Sequence, residues 1–475
     1  MYDILIENCS IISMNRNDDI FESCSIGITG DKIDAIGPVL KGGAAKIING
    51  TGTYVMPGLI NCHTHVYQSL IEGIGYDMHF NPWNIRYLIP IVSKMKPRHA
   101  RISSELAAIE MIKSGTTSFS DHWYLHTDFN NIEEEAEAFN RSGLRSQIIF
   151  GFLNESFAGR KNADGSGQEV LKEESELLER AEDFVSRRHG RNLITAGLGP
   201  GSTEDVGTEL FRKIIKLGRR LDVPLVTHIA GWVEIVSRSI EKYGMRDLEY
   251  AHSLGFTGDK SIAIHGVWLS DDEIELAALT GTGIAHNPVA NMHLGYGTAP
   301  ICRMRKAGVK VGLGTDGAAS YTYDMFEIGK TAAMLQKVNN LDAEAITAED
   351  VLSLLTREGA AVLGIDETTG SIEVGKQADM IMINTDSPNI LGGGRPAPLI
   401  AYGARSSDVI NSIIGGKLVM EERKVLTLDE KSVLAEANDA RSELLELGGA
   451  AVRQLLDAPW PKRGASWRRL DGKIS

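Results

Sequence analysis

Pro57-Gly58-Leu59-Ile60-Asn61-Cys62-His63-Thr64-His65 carries two histidines one residue apart. It continues an apolar run that begins at Tyr54, and residues 54–60 read as a buried strand ending in His63-x-His65. Side chains two apart on a strand point to the same face, so one metal ion can take both imidazoles. Taken alone, the pair also reads as two ordinary histidines at a strand end. The rest of the chain decides between the readings, because it supplies further ligands in order.

From about residue 55 to 365, strand-like apolar runs alternate with helical segments. The runs are 55–60, 116–119, 146–152, 193–198, 223–227, 261–264, 283–285 and 309–313. Between them, 132–139, 170–185, 208–221 and 272–279 carry the mixed apolar and charged spacing of amphipathic helices. Eight such units predict a (β/α)8 TIM barrel, an α/β fold. A doubly wound open sheet is the rival, but it would not need polar residues at the ends of so many strands.

Residues 1–54 read as short strands and tight turns, with Asn15 to Asp18 and Gly30-Asp31 as turn signals. That segment is too short to bury its own core. Beyond the barrel, Thr347-x-x-Asp350 opens a helix through Ala361 in capping-box style. Strands are then predicted at 370–376, 379–383, 409–414 and 417–420, and they are expected to join the N-terminal strands in one composite β-sandwich domain. Residues 428–458 read as a polar-faced helix. The expected division is 1–54 and 366–427 for the two sandwich segments, 55–365 for the metal-dependent barrel, and 428–475 for a C-terminal helix and tail.

Chemistry in a TIM barrel sits at the C-terminal ends of the strands. Those ends carry His63 and His65, Ser120-Asp121-His122-Trp123, Thr227-His228, His265-Gly266, His286-Asn287-Pro288 and Gly314-Thr315-Asp316-Gly317. Three imidazoles and one carboxylate from the first, fifth and eighth strands can surround a divalent ion and leave a position open for water, as in catalytic metal sites.

These motifs resemble the amidohydrolase superfamily, and most closely the branch with triazine hydrolases, guanine deaminase and adenosylhomocysteine or methylthioadenosine deaminases. The opening Pro57 to His65, His286-Asn-Pro-Val-Ala-Asn291, Gly312 to Ser320 followed by Asp324-Met325, and Gly375-Lys376-x-Ala378-Asp379 carry the resemblance. It implies metal ligands His63, His65, His228 and Asp316, with the catalytic residue His265 beside the metal-bound water or the substrate's oxygen and Asp316 also accepting a proton from that water. It implies zinc (Zn2+), with iron (Fe2+) as the alternative. Such an ion lowers the pKa of its bound water from 15.7 toward about 7. Relatives that bridge two metals use a lysine on the fourth strand. Leu193 to Pro200 has none, so one metal ion is expected.

One departure bears on the reaction. Deaminases of this branch carry a glutamate three residues after the strand-five histidine, where this chain has Gly231 in His228-Ile-Ala-Gly-Trp-Val-Glu234. Either Glu234 reaches in, or His265 and a water share the proton work, or the substrate needs no ring-nitrogen proton. Glu234 also reads as a helix-start carboxylate favoured by the helix dipole. Expected substrate contacts are Trp83 on the long loop after the first strand, His122, Trp123, Tyr321 and Tyr323. Glu72 stands where the family often has arginine, and His293 where it often has lysine.

The expected function is hydrolytic deamination of an N-heterocycle such as a triazine, purine or pterin. The alternative is hydrolysis of an amide, urea or carbamate bond, and a metal-free scaffold is the remaining reading. The 475-residue chain is 43% hydrophobic and 24% charged with net charge −14, which argues against nucleic acid or an anionic membrane as partner. Cys9, Cys24, Cys62 and Cys302 show no paired spacing, there is no basic-then-apolar leader, and no run approaches the roughly 20 apolar residues of a membrane span. A cytoplasmic homo-oligomer, a dimer or larger, acting on a small molecule is the expectation. The locally basic stretch 461–473 reads as a solvated end or an interface element.

Overall fold

The computed structural model describes residues 1–155, 167–391 and 394–457. The basic stretch 461–473 lies outside them.

Eight parallel strands form the barrel wall: Leu59–Thr64, Thr116–Trp123, Arg145–Phe152, Ile194–Pro200, Leu225–Ile229, Ser261–His265, Gly283–His286 and Val311–Leu313. Each pairs with its neighbour in chain order. The last meets the first where the amides of Thr315 and Asp316 both donate to the carbonyl of His63, at 3.0 and 2.9 Å. That closure sets two predicted metal ligands side by side. Helices such as Pro97–Lys113, Asn130–Ser142, Glu174–Arg188 and Thr208–Leu221 return the chain between strands.

The two chain ends build one nine-stranded mixed sheet. Ile6, Ile11, Ile26, Ile28, Val55, Met380, Met382 and Ile413 from both ends share its buried core. A buried ion pair ties this sheet to the barrel: Arg145, which opens the third barrel strand, holds Asp379 at 2.7 Å. Asp379 also accepts from the Gly415 amide at 2.6 Å.

Four details depart from expectation. The run 55–60 is not one strand. Thr53–Pro57 belongs to the terminal sheet, pairing with Met380–Asn384, and the barrel strand begins at Leu59. Pro57 and Gly58 make the break. A β-carbon on Gly58 would stand 2.0 Å from the Thr117 side chain, so only glycine passes there. Residues 370–376 form turns, not a strand, because Gly370 and Gly375 take left-handed backbone with φ of +85° and +93°. The helix after Thr347 keeps its capping box but breaks at Thr356 into Ala348–Leu355 and Arg357–Leu363. The C-terminal helix likewise divides into Glu430–Leu447 and Gly449–Asp457. Its buried Val433, Ala437, Ala440 and Leu444 show that one face is apolar.

Candidate metal centre

His63, His65, His228 and Asp316 converge at the barrel mouth, all buried, each offering a ligand atom within 4.8 Å of the others. Oδ1 of Asp316 lies 3.4 Å from Nε2 of both His63 and His65. Partners behind them fix the rings. Nδ1 of His65 donates to the His122 carbonyl at 2.8 Å, and Nδ1 of His228 donates to the Gly201 carbonyl. With both protons on Nδ1, both Nε2 atoms present lone pairs, yet they face each other at 3.3 Å. Two acceptors beside a carboxylate repel unless a cation lies among them. His63 adds two buried ring nitrogens without a hydrogen-bond partner. The donor set therefore fits a divalent metal with nitrogen and oxygen preference, and backbone carbonyls orient the imidazoles as in known metal sites.

Electrostatics agree. Burial, then repulsion from His63, lowers the pKa of His65 to about 3, and burial also holds His228 well below the usual histidine value. Both are neutral ligands at pH 7. Burial alone would raise Asp316, but its neighbours His63, His265 and His65 hold it below the ordinary carboxylate range. Backbone strain marks the same place: Ala230, His265 and Asp316 have φ of +49°, +76° and +63°. Left-handed non-glycine residues persist only where the surroundings enforce them, and they cluster at functional sites.

The cavity above the cluster is lined by Gln68, Phe80, Trp83, Tyr124, Ser202, Trp232, His265, Leu294 and Tyr296 as well as by ligand residues. Phe80 packs on Trp232 at 4.7 Å, and Trp232 stacks on Tyr296 at 5.5 Å. Nε2 of His265 stands 3.9 Å from Oδ2 of Asp316. Burial lowers its pKa to about 4.

The other predicted contacts are placed as follows. Trp83 is on the cavity wall. His122 lies behind it, stacked on His228 at 5.6 Å, with Nε2 3.3 Å from the Gly199 carbonyl. Trp123 is fully buried and packs on Tyr67 at 5.0 Å, on the second strand and away from the cavity. Tyr323 is buried with its hydroxyl 2.7 Å from Ser69 Oγ. Tyr321 is 37% exposed, against His293 at 5.0 Å. Glu234 is exposed in the first turn of helix Val233–Tyr243 and does not line the cavity. Its side chain points to solvent because Trp232 and Gly231 take the inward positions. Sequence reasoning did not reach Tyr124, Trp232, Leu294 or Tyr296. Trp232 had a signal, adjacent to Gly231; Tyr296 had none, because a loop residue shows no period.

A family model described as the amidohydrolase family matches residues 54–419. The chain is 34% identical over 425 residues to a 5'-deoxyadenosine deaminase of Methanobrevibacter smithii, covering 89% of this chain and 94% of the relative. It is 34% identical over 439 residues to a 5-methylthioadenosine/S-adenosylhomocysteine deaminase of Carboxydothermus hydrogenoformans, covering 92% and 96%. Its fold superposes with a TM-score of 0.85 and 26% identity on the crystal structure of an adenosine deaminase from Xanthomonas campestris with bound zinc, over 93% and 98% of the two chains. With the barrel, the terminal sheet and the His-His-His-Asp cluster in hand, this chain belongs to the amidohydrolase family, metal-dependent hydrolases of carbon–nitrogen bonds other than peptide bonds.

Proposed function

We propose that the chain is a mononuclear zinc aminohydrolase that releases ammonia from an amino-substituted N-heterocycle, with purine nucleosides such as 5'-deoxyadenosine as the first class to test. The observation that carries this is the buried, converging cluster of His63, His65, His228 and Asp316 at the foot of an aromatic cavity. The names of the relatives and the zinc in the related structure support the substrate class and the metal.

When bound, the ion would act as a Lewis acid that activates water for attack on a ring carbon. The residues of the chain do the rest. Asp316, ionised at neutral pH, accepts a proton beside the ligands. His265, neutral and with Nε2 toward the cavity, accepts a proton and returns it to the departing amine. Trp83, Phe80, Trp232 and Tyr296 offer flat faces to a planar ring.

A second reading follows from Gly231. With no carboxylate at that position and Glu234 turned to solvent, an amide, urea or carbamate bond would need only the proton transfers His265 and Asp316 supply. Zinc-loaded protein tested for ammonia release from 5'-deoxyadenosine, guanine, pterins and triazines decides between them. Turnover of ureas or carbamates without heterocycle deamination selects the second reading, and no turnover by metal-loaded protein sinks both.

We further propose the division into a barrel and a domain built from both ends, and assembly into a dimer or larger oligomer. Exposed Met334, Val338 and Leu341 on one helix and its end support an interface. No described helix is long and apolar enough to cross a membrane. All four cysteines are free, which supports the proposal of a reducing compartment such as the cytoplasm.

A further inference from the structure

His265 hangs from strained backbone: its φ is +76° and that of Gly266 is +59°, so the sixth strand ends in two left-handed residues. Its ring nevertheless has defined partners. Nδ1 lies 2.9 Å from Oδ1 of Asn291 and 3.2 Å from Nδ2 of Asn287. On its other side, Nδ2 of Asn291 lies 3.5 Å from Nδ1 of His286. Asn287, Asn291 and His286 are fully buried, and His265 is 2% exposed.

Asn291 is thus wedged between two imidazoles. Its amide has a donor end and an acceptor end. With the donor end toward His286, the oxygen turns to His265, and that oxygen makes the shorter of the two contacts to Nδ1. A ring nitrogen that faces a carbonyl oxygen carries the proton, and the opposite nitrogen is then bare. That bare nitrogen is Nε2, which faces Asp316 and the cavity. On the far face of the ring, Gly231 lies so close that a β-carbon there would meet Cδ2 at 3.0 Å.

We propose that Asn291 is a positioning residue: it holds the His265 proton on Nδ1 and the ring against Asp316, so that Nε2 serves as the proton carrier the chain lacks at Gly231. In the step this supports, Nε2 takes one proton from the attacking water and delivers it to the leaving amine nitrogen. The carbon–oxygen bond forms, the carbon–nitrogen bond breaks and ammonia leaves, while the water's second proton passes by way of Asp316 to the ring nitrogen as the carbonyl forms, so that His265 and Asp316 both end as they began. The inference rests on the aminohydrolase reading for its kinetic arm, and on none of it for its spectroscopic arm.

The experiment uses zinc-loaded protein with ring-15N histidine, with His265→Gln identifying the His265 signals. The expected spectrum shows a protonated Nδ1 and an unprotonated Nε2. The reverse tautomer overturns the proposal. In parallel, Asn291→Leu and Asn291→Asp are assayed with 5'-deoxyadenosine. Asn291→Leu is expected to lose about 100-fold in kcat, the size of a general acid–base contribution. Its KM should stay within about 3-fold, because ground-state binding is untouched, and its zinc content should not change. Asn291→Asp keeps an acceptor and should recover most of the loss. Wild-type kcat in Asn291→Leu overturns the proposal. If Asn291→Leu does not fold, the wild-type spectrum decides alone. If wild type deaminates no heterocycle, the function reading fails while the tautomer is still read.

Discussion

Gly231 lies against the ring of His265: a β-carbon placed on Gly231 would stand 3.0 Å from Cδ2 and 3.4 Å from Cγ. The ring cannot retreat, since Asn291 holds Nδ1 on its other edge and it is buried. Glycine here is therefore a fitted residue and not merely a missing acid. Gly231→Glu, which restores the side chain common in related deaminases, should lower ammonia release about 10-fold or more by misplacing His265, since catalytic groups tolerate little displacement. Zinc content should stay at the wild-type level. A Gly231→Glu variant faster than wild type would show that the ring yields and that the lost carboxylate was the limiting group.

Removing the metal should cost stability as well as activity. The four candidate ligand residues are buried together, and a cation that binds only the folded state adds about 2.7 kcal/mol when present at 100 times its Kd. Chelator-treated protein should melt earlier than the zinc-loaded form and recover on adding zinc. His228→Ala should bind zinc at least about 10-fold more weakly than wild type, since loss even of the groups that orient a metal's ligands costs about 10- to 100-fold in affinity. Elemental analysis and differential scanning calorimetry check both.

Asp247 should make stability depend on pH. It is fully buried, its Oδ2 accepts from the Ala230 amide at 2.6 Å, and burial raises its pKa from 3.8 to about 7. The folded state thus binds its proton more tightly than the unfolded state. Its contribution is fully present below about pH 4 and is lost as pH rises through 7. Asp247→Asn keeps an acceptor for Ala230 and cannot ionise. Its Tm should match wild type near pH 4 and exceed it by roughly 1–3 °C at pH 9. A constant difference across that range would show that the carboxyl does not titrate there.

Arg145 and Asp379 join the floor of the barrel to the terminal sheet. Asp379 is 2% exposed, and Arg145→Ala leaves its carboxylate with the Gly415 amide but no cation. Breaking one side of a buried pair costs about 3–5 kcal/mol; the remaining amide puts the expectation near the lower figure. Urea unfolding with unchanged m-value is the check.

Trp232 should matter for binding more than for chemistry. It bridges Phe80 and Tyr296 on the cavity wall and touches no metal ligand through a hydrogen bond. Trp232→Ala should raise KM for a planar substrate about 10-fold, in line with about 1.4 kcal/mol of ring contact, with kcat changed less.

The alternation of apolar runs with helices was enough to predict a barrel, because strand and helix periods are local properties written in neighbouring residues. His63, His65, His228 and Asp316 were legible for the same reason. In a parallel barrel all strand ends fall on one face, so order along the chain implies proximity. Gly231 and the lack of a lysine on the fourth strand were also readable directly. Tertiary structure decided the rest. It split 54–60 between two sheets, because Gly58 must pass Thr117. It turned Glu234 outward and Trp123 away, and it brought Asn291 to His265 and Tyr296 to Trp232 across strands and loops. Such contacts depend on loop paths and side-chain packing between distant segments, and no periodicity in the chain records them.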